Sequence, residues 1–195
     1  ITVKGLNGGH SGMDIHKGLG NANKIMNRLL FDGFENFGLQ IIEINGGSLR
    51  NAIPRESVAK VIISGIFNDA FASEMQEIIA DIKAEYKTTE PNLTIEIEKA
   101  DLPTHVMDLG VQEGFIRMIY AAHNGVYRMS ADMENLVETS NNIARVIVKD
   151  GEIKVGCLTR SSVESSKYDL ANALRSAFEL MGCEVELSGS SPGWT

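Results

Sequence analysis

The sequence has little cysteine, no long apolar run and no excess of basic residues. Its only two cysteines among 195 residues, Cys157 and Cys183, form no Cys-x-x-Cys pair. We expect two buried thiols of a cytoplasmic protein, with a disulfide between them as the alternative. Charges or glycines interrupt every apolar stretch after a few residues, whereas a membrane-spanning helix needs about 20 apolar residues. The sequence therefore predicts no insertion into a membrane.

The charge balance is acidic, with 18 Lys and Arg against 26 Asp and Glu, a net charge of −8 and a pI near 5.0. Because no basic face could neutralise phosphates, nucleic acid is not an expected partner. The 43% of hydrophobic residues excludes disorder as the bulk state. A chain of this length buries about 70% of its unfolded surface, enough for one compact domain or two small ones.

Both ends of the sequence suggest a piece of a longer polypeptide. The chain starts at Ile1, within a segment that has the pattern of a strand, and no targeting segment precedes it. Residues 188–195 are rich in turn-forming residues. We expect both ends to continue into a parent protein.

The first hundred residues show the pattern of a split βαβ unit. We predict a helix at 15–33, with Ser11 or Asp14 as its N-cap and Gly33 as its end, and a second helix at 71–86. The predicted strands are 1–6, 39–44 (ending in a turn at 45–47), 57–65 and 93–98. Strand, helix, strand, strand, helix, strand is the order in which two helices cover one face of a four-stranded antiparallel sheet.

Most of this order recurs in the second half. Here the predicted helices are 111–122 and 170–181, and the predicted strands are 142–149, 152–159 and 183–187, with a hairpin turn at Asp150-Gly151. A first strand is not evident. We therefore predict an α+β fold of two ferredoxin-like (split βαβ) units, with antiparallel sheets and the helices packed on one face. The units are residues 1–100 and residues 101–189, followed by a tail at 190–195.

The pattern of reactive residues argues against a complete catalytic site. The four histidines, His10, His16, His105 and His123, form no His-Glu-x-x-His motif, so we expect no metal site in this chain. The sequence contains no Gly-x-Ser-x-Gly nucleophile elbow between a strand and a helix, and no phosphate-binding glycine loop. We expect no cofactor bound by this chain alone.

Three residues remain as candidates for a functional site. His10 lies in Gly8-Gly9-His10-Ser11-Gly12, where three glycines allow a tight bend and the close approach of a second body. The alternative is a turn histidine that only hydrogen-bonds its loop, and His16 is expected to be a solvated helix residue. Asn51, ahead of Pro54, either serves a ligand or bonds its own backbone. Arg160 ends a strand, opposite the face of Val155, and could bind a carboxylate bidentately or pair with Glu164.

At these residues the chain resembles the aminoacyl-histidine dipeptidases (Xaa-His dipeptidase, peptidase D, carnosinase-like) of the M20 metallopeptidases. The resemblance rests on VKGLNGGHSG (3–12), IHKGLGNANK (15–24), NGGSLRNAIPRE (45–56), VETS (137–140), LTRS (158–161) and PGW (192–194). These stretches span nearly the whole chain in the family's order. GGHSG alone would indicate only the wider M20 superfamily.

The resemblance implies that the chain is the lid inserted into a catalytic domain, which holds two zinc ions and the general base. It implies that His10 stabilises the oxyanion of the transition state, that Asn51 assists it, and that Arg160 binds the C-terminal carboxylate of a dipeptide. The expected partners are that catalytic domain and the dipeptide, and the resemblance also allows a second copy of the chain in a homodimer. A doubled lid would supply within one chain what simpler relatives obtain across a dimer. The isolated chain is expected to be inactive.

Two other interpretations belong to different classes of protein. Paired ferredoxin-like units also form free-standing regulatory modules that bind small ligands, and they also act as dimerisation domains. The first would not explain the two cut ends. The second would leave His10, Asn51 and Arg160 without a ligand.

Overall fold

The computed structural model describes residues 1–190 and contains four α-helices and nine strands within that range. The strands are β1 (Thr2–Lys4), β2 (Gly9–His10), β3 (Gln40–Gly47), β4 (Ala52–Ile53), β5 (Ser57–Ile62), β6 (Thr94–Glu96), β7 (Gly125–Met129), β8 (Val137–Lys149) and β9 (Glu152–Ser161). The helices are α1 (Ala22–Phe37), α2 (Asn68–Glu85), α3 (Leu109–Ala121) and α4 (Glu164–Leu180). The predicted tail at 190–195 and the PGW motif at 192–194 lie outside the described residues, apart from residue 190.

The first half forms the sheet that the sequence predicts. Four of its strands lie in the order β6-β1-β5-β3, and all their pairings are antiparallel. This is the strand order of a split βαβ unit, with α1 and α2 as its two helices. The predicted α+β class with antiparallel pairing is confirmed.

The second half continues the same sheet rather than building a separate one. Strand β3 pairs with β8 from Ile44↔Val148 to Gly47↔Arg145, and β8 pairs with β9 along its whole length. The Asp150-Gly151 turn between β8 and β9 has positive φ at both residues, 50° and 78°, as a two-residue hairpin requires. The two halves thus share one seven-stranded sheet, while their division at residues 100 and 101 stays a prediction.

In the second half one predicted strand is wrong and one strand was not predicted. Residues 183–187, predicted as the last strand, form no strand. Their alternating pattern is suitable for a strand, but in the order of the first half the last strand pairs with the first, and the second half has no such first strand. The sequence also gave no sign of β7, which pairs with the start of β8 through two irregular steps.

The helix predicted at 15–33 is also wrong at both ends. A short 3-10 turn, Ile15–Lys17, stops at Gly18, and α1 starts only after Asn21, whose side chain accepts hydrogen bonds from Asn23 N and Lys24 N. Helix α1 runs past Gly33 and ends at Gly38, which has a φ of 63°. The stronger N-cap is the buried Asn21, and neither Ser11 nor Asp14 caps this helix.

Residues 45–47 are the end of β3 and do not form the predicted turn. A Cβ at Gly46 would lie 1.9 Å from Asn23 Oδ1, and one at Gly47, whose φ is 76°, would lie 1.8 Å from the Ala144 carbonyl oxygen. These glycines therefore allow α1 and β8 to approach β3 closely.

All four helices contribute to one hydrophobic core against the sheet. Its largest fully buried side chains are Phe115, Ile25, Met26, Leu29, Leu30, Leu39, Ile41, Met75, Ile82, Ile116, Ile119 and Ile143. No helix of the described part of the chain is both long and apolar enough to span a membrane.

Buried amides join the two halves next to this core. Asn21 Nδ2 and Asn23 Nδ2 both donate to the Ile143 carbonyl oxygen at 3.1 Å, so α1 is tied to β8. Gln112 on α3 is fully buried, accepts from Ile41 N at 2.6 Å and donates to Leu39 O at 2.7 Å. Its side chain thereby provides hydrogen-bond partners for the backbone groups on the part of the β3 edge that does not pair with β8.

Candidate functional site

A two-stranded ribbon brings two of the three candidate residues together. Strand β2 pairs with β4 so that His10 lies opposite Ala52, and Ser11 N donates to the Asn51 carbonyl oxygen at 2.9 Å. Asn142 on β8 donates through Nδ2 to the carbonyl oxygens of Arg50, at 3.1 Å, and Ala52, at 2.8 Å. The ribbon is therefore held against the second half of the sheet.

The hydrogen bonds of His10 determine which ring nitrogen carries its proton. Nδ1 accepts from Gly12 N at 3.1 Å and from Met13 N at 3.2 Å. A nitrogen that accepts carries no hydrogen, so the neutral ring is protonated at Nε2. The loop bond expected of a turn histidine is present, and it leaves Nε2–H as a donor.

Two carboxylates hold the loops around His10. Asp14 Oδ2 accepts from His10 N at 2.7 Å, and its Oδ1 accepts from Lys17 Nζ at 2.6 Å. The hydrogen bond from Lys17, followed by that from the His10 backbone, lowers the pKa of Asp14. The buried Glu90 accepts from Asn7 N at 2.7 Å and from Gly20 N at 3.0 Å, joining the segments before and after the glycine loop.

Arg160 lies beside His10, although 150 residues separate them in the sequence. A Cβ built on Gly12 would lie 3.2 Å from Arg160 Nε and also 3.2 Å from His10 Cε1. The Arg160 Nε atom is buried and has no hydrogen-bond partner among the described residues. Within residues 1–190 no carboxylate forms an ion pair with Arg160, and Glu164 pairs instead with Lys167 at 3.1 Å.

His10 and Arg160 line one cleft of about 1290 Å³. It runs along β9, bordered by α4 and by residues 183–190. Its apolar lining includes Val155 and Cys157, which pack against the core, and burial raises the pKa of the Cys157 thiol to about 11. Its charged lining includes Arg50 and Glu138. A donor, Nε2–H, and a guanidinium that forms no ion pair within residues 1–190 line the same cleft and can bind a ligand that carries two separate oxygen groups.

The cleft also contains residues that the motif analysis gave no role. Arg50 is exposed at the ribbon, Ser140 lies opposite Arg160 on β8, and Glu138 is buried two residues earlier. Glu138 belongs to a segment in which every residue from 138 to 144 is buried. The signal available in the sequence was that all three lie in stretches that carry the family resemblance, Arg50 in 45–56 and Glu138 and Ser140 in 137–140.

The remaining candidates, Asn51 and His16, do not line the cleft. Asn51 is exposed beside the ribbon, and His16 is exposed on the 3-10 turn. Residues 1–190 contain no group of three or more His, Cys, Asp or Glu side chains that could hold a metal ion. Cys157 and Cys183 are both free thiols.

Comparisons with known proteins add a family to this geometry. Residues 1–90 match the family described as M20_dimer, Peptidase dimerisation domain. The whole chain is 38% identical over 194 residues to the cytosol non-specific dipeptidase of Escherichia coli (strain K12). It superimposes on the crystal structure of aminoacylhistidine dipeptidase from Vibrio alginolyticus with a TM-score of 0.96 and 38% identity, covering 99% of the chain.

The chain is much shorter than these two proteins. It spans 40% of the length of the Escherichia coli dipeptidase and 39% of the crystallised Vibrio alginolyticus chain. The similarity therefore concerns one part of each of these proteins.

Proposed function

Since residues 1–90 match the M20 peptidase dimerisation domain family, we propose that the chain is the lid of a zinc-dependent cytoplasmic dipeptidase that hydrolyses Xaa-His dipeptides. The relatives named above are dipeptidases, and one of them is named for aminoacylhistidine substrates. The observation that carries the proposal is that His10 and Arg160 lie next to the same residue, Gly12, and line the same cleft.

In this proposal His10 donates its Nε2–H to the carbonyl oxygen of the scissile peptide bond. That oxygen gains negative charge only as the tetrahedral intermediate forms, so a donor held in place stabilises the transition state more than the substrate. The two backbone bonds to Nδ1 hold the ring for this task. Asn51, next to the ribbon, assists as a second polar group.

Arg160 binds the C-terminal carboxylate of the dipeptide. Its guanidinium forms no ion pair within residues 1–190, and a carboxylate accepts two parallel hydrogen bonds from such a group. A carboxylate held at Arg160 limits the substrate to the length that fits between Arg160 and the scissile bond. The two zinc ions and the general base are assigned to the catalytic domain of the parent polypeptide, so the isolated chain is inactive.

The doubled architecture supports a further part of the proposal. His10 lies in the first half and Arg160 in the second, and the β3–β8 pairing brings these halves into one sheet. We therefore assign to one doubled lid the two groups that a simpler lid would take from two subunits. The family description as a dimerisation domain is compatible with a homodimer of the parent.

The test uses the full-length parent with zinc and an Ala-His substrate. We expect His10→Ala to lower kcat by about 100-fold or more, with the metal content unchanged. The exposed His16→Ala is the matched control and should retain the wild-type rate. A rate near that of wild type in His10→Ala contradicts the oxyanion role.

The arginine is tested by the same kinetics. Arg160→Ala should raise KM far more than it lowers kcat, because it removes a group that binds substrate and transition state alike. Arg117→Ala on α3, where Arg117 pairs with Glu35 and Glu113 at the surface, is the control. For the isolated chain, calorimetric titration with Ala-His should detect no binding, and micromolar affinity would contradict its proposed dependence on the other domain.

A further inference from the structure

Glu138 is the one charged side chain in the cleft lining that is more than nine-tenths buried. It lies at the start of β8 with 7% of its side chain exposed, and it faces the same cleft as His10 and Arg160. A carboxylate so removed from water needs partners that stabilise its charge. The partners it has within residues 1–190 are a hydroxyl and a single distant arginine.

These partners orient Glu138 but leave it incompletely neutralised. Thr139 Oγ1 donates to Glu138 Oε1 at 3.1 Å, and because that hydroxyl has one hydrogen, Ser161 and Ser166 must donate to Thr139, each at 2.8 Å. The ionic partner is Arg128, whose Nε lies 3.5 Å from Glu138 Oε2. The Arg128 side chain is 60% exposed, so it remains largely hydrated.

The sheet register places Glu138 on the face of Arg160. Ser140 lies opposite Arg160, and Ser162 N donates to the Glu138 carbonyl oxygen at 3.0 Å, which makes Glu138 and Ser162 the pair two positions further along. Alternate residues of a strand share a face. Glu138 and Arg160 are therefore diagonal neighbours across β8 and β9, a relation in which Cα atoms lie about 7–8 Å apart.

We propose that Glu138 determines specificity at the C-terminal residue of the substrate by accepting a hydrogen bond from a side chain that carries an N–H or a positive charge. This inference rests on the proposed function, because it takes the substrate carboxylate to be bound at Arg160. With the carboxylate there, the side chain of the same residue reaches toward the diagonal neighbour. Imidazole, ammonium and guanidinium groups match a buried carboxylate, whereas an aliphatic side chain would leave it desolvated and unpaired.

The experiment measures kcat/KM of the zinc-loaded full-length parent for Ala-His, Ala-Lys and Ala-Leu. Wild type should prefer Ala-His and Ala-Lys over Ala-Leu, and Glu138→Gln should lower that preference by about tenfold, chiefly through KM, as expected when a charge-assisted hydrogen bond to the ligand is lost. Arg128→Gln keeps the carboxylate and removes its ion pair, so it should keep the preference. Glu152→Gln, an exposed residue of the same hairpin, is the surface control.

The outcomes separate this inference from the function on which it rests. If wild type hydrolyses none of the three dipeptides, the proposed function fails. If wild type hydrolyses Ala-Leu as well as Ala-His, or if Glu138→Gln lowers all three values equally, the dipeptidase stands and the specificity role of Glu138 is wrong. If Arg128→Gln and Glu138→Gln lower the preference equally, the effect of Glu138 depends on its ion pair with Arg128, and its proposed contact with the substrate is wrong. Thermal unfolding of each variant identifies any that is misfolded. The ratio of the inhibition constants of free histidine and free leucine then measures the preference for histidine over leucine without catalysis.

Discussion

The two halves of the chain use similar elements for different tasks. The first half has a complete four-stranded order, β6-β1-β5-β3, and carries His10 on a loop fixed by Glu90 and the β2–β4 ribbon. The second half has, among the described residues, no counterparts of β1 and β6 and instead extends β8 and β9 to 13 and 10 residues, with Arg160 near the end of β9. The complete half holds a donor in a fixed position. The incomplete half leaves a long cleft beside its last strand.

The strongest way to break this arrangement is to remove the buried amide between the halves. Gln112→Leu should lower the free energy of unfolding by about 3 kcal/mol, because it leaves Ile41 N–H and the Leu39 carbonyl buried without partners. Gln76→Leu makes the same change at an exposed position of α2 and should have little effect. Denaturant unfolding followed by circular dichroism measures both. Equal stability of the two variants would show that α3 does not join the halves in this way.

A smaller loss of stability, confined to the first half, is expected from substitution of Glu90, whose carboxylate joins the segments before and after the glycine loop. Glu90→Gln retains one acceptor oxygen for the two backbone donors, Asn7 N and Gly20 N, and should cost about 2 kcal/mol. The same variant in the parent should lower kcat through His10 while KM changes little. Glu134→Gln, at an exposed site of the second half, is the control. A change in KM alone would show that the substitution affects the half that carries Arg160, and it would refute the proposed action of Glu90 through His10.

The smallest effect is a pH dependence at Asp14. Its pKa is lowered by Lys17 and by the His10 backbone, so its stabilising contribution is present above the pKa of an ordinary unfolded aspartate and is lost as the pH falls through the lowered value. The melting temperature of Asp14→Asn should therefore lie slightly below that of wild type at neutral pH, and the two should converge in acid, once the pH falls below the lowered pKa of Asp14. Asp101→Asn, at an exposed aspartate, should show no such convergence. A difference that grows in acid would reverse the sign argued here.

Much of the fold follows from local patterns in the sequence. The helix and strand periodicities of the first half predict its two helices and the four strands β1, β3, β5 and β6 in the right order but not the β2–β4 ribbon, and the Asp150-Gly151 turn predicts the β8–β9 hairpin. Errors arise where glycine and asparagine have tertiary roles. Gly46 and Gly47 resemble a turn but allow close packing, and Asn21 replaces the expected caps because it also bonds to β8.

The candidate site is less predictable than the fold. The glycines around His10 single it out, and the end of a strand singles out Arg160, but no local pattern places the two side by side. Their proximity depends on the register of β3 on β8 and on Asn142, which holds the ribbon against the sheet. Such long-range pairing is set by the packing of the whole sheet and is not encoded in any one segment.

The pairing of β3 with β8 also has a consequence for the order of folding. Its partners, from Ile44↔Val148 to Gly47↔Arg145, are about a hundred residues apart in the sequence, and closing so long a loop is slow compared with forming the hairpin of β8 and β9. During synthesis the first half is complete before β8 leaves the ribosome, and until then β3 is an open edge. We expect this edge to be the main site of misassembly in a nascent or truncated chain, and the arrival of residues 145–148 to end that exposure.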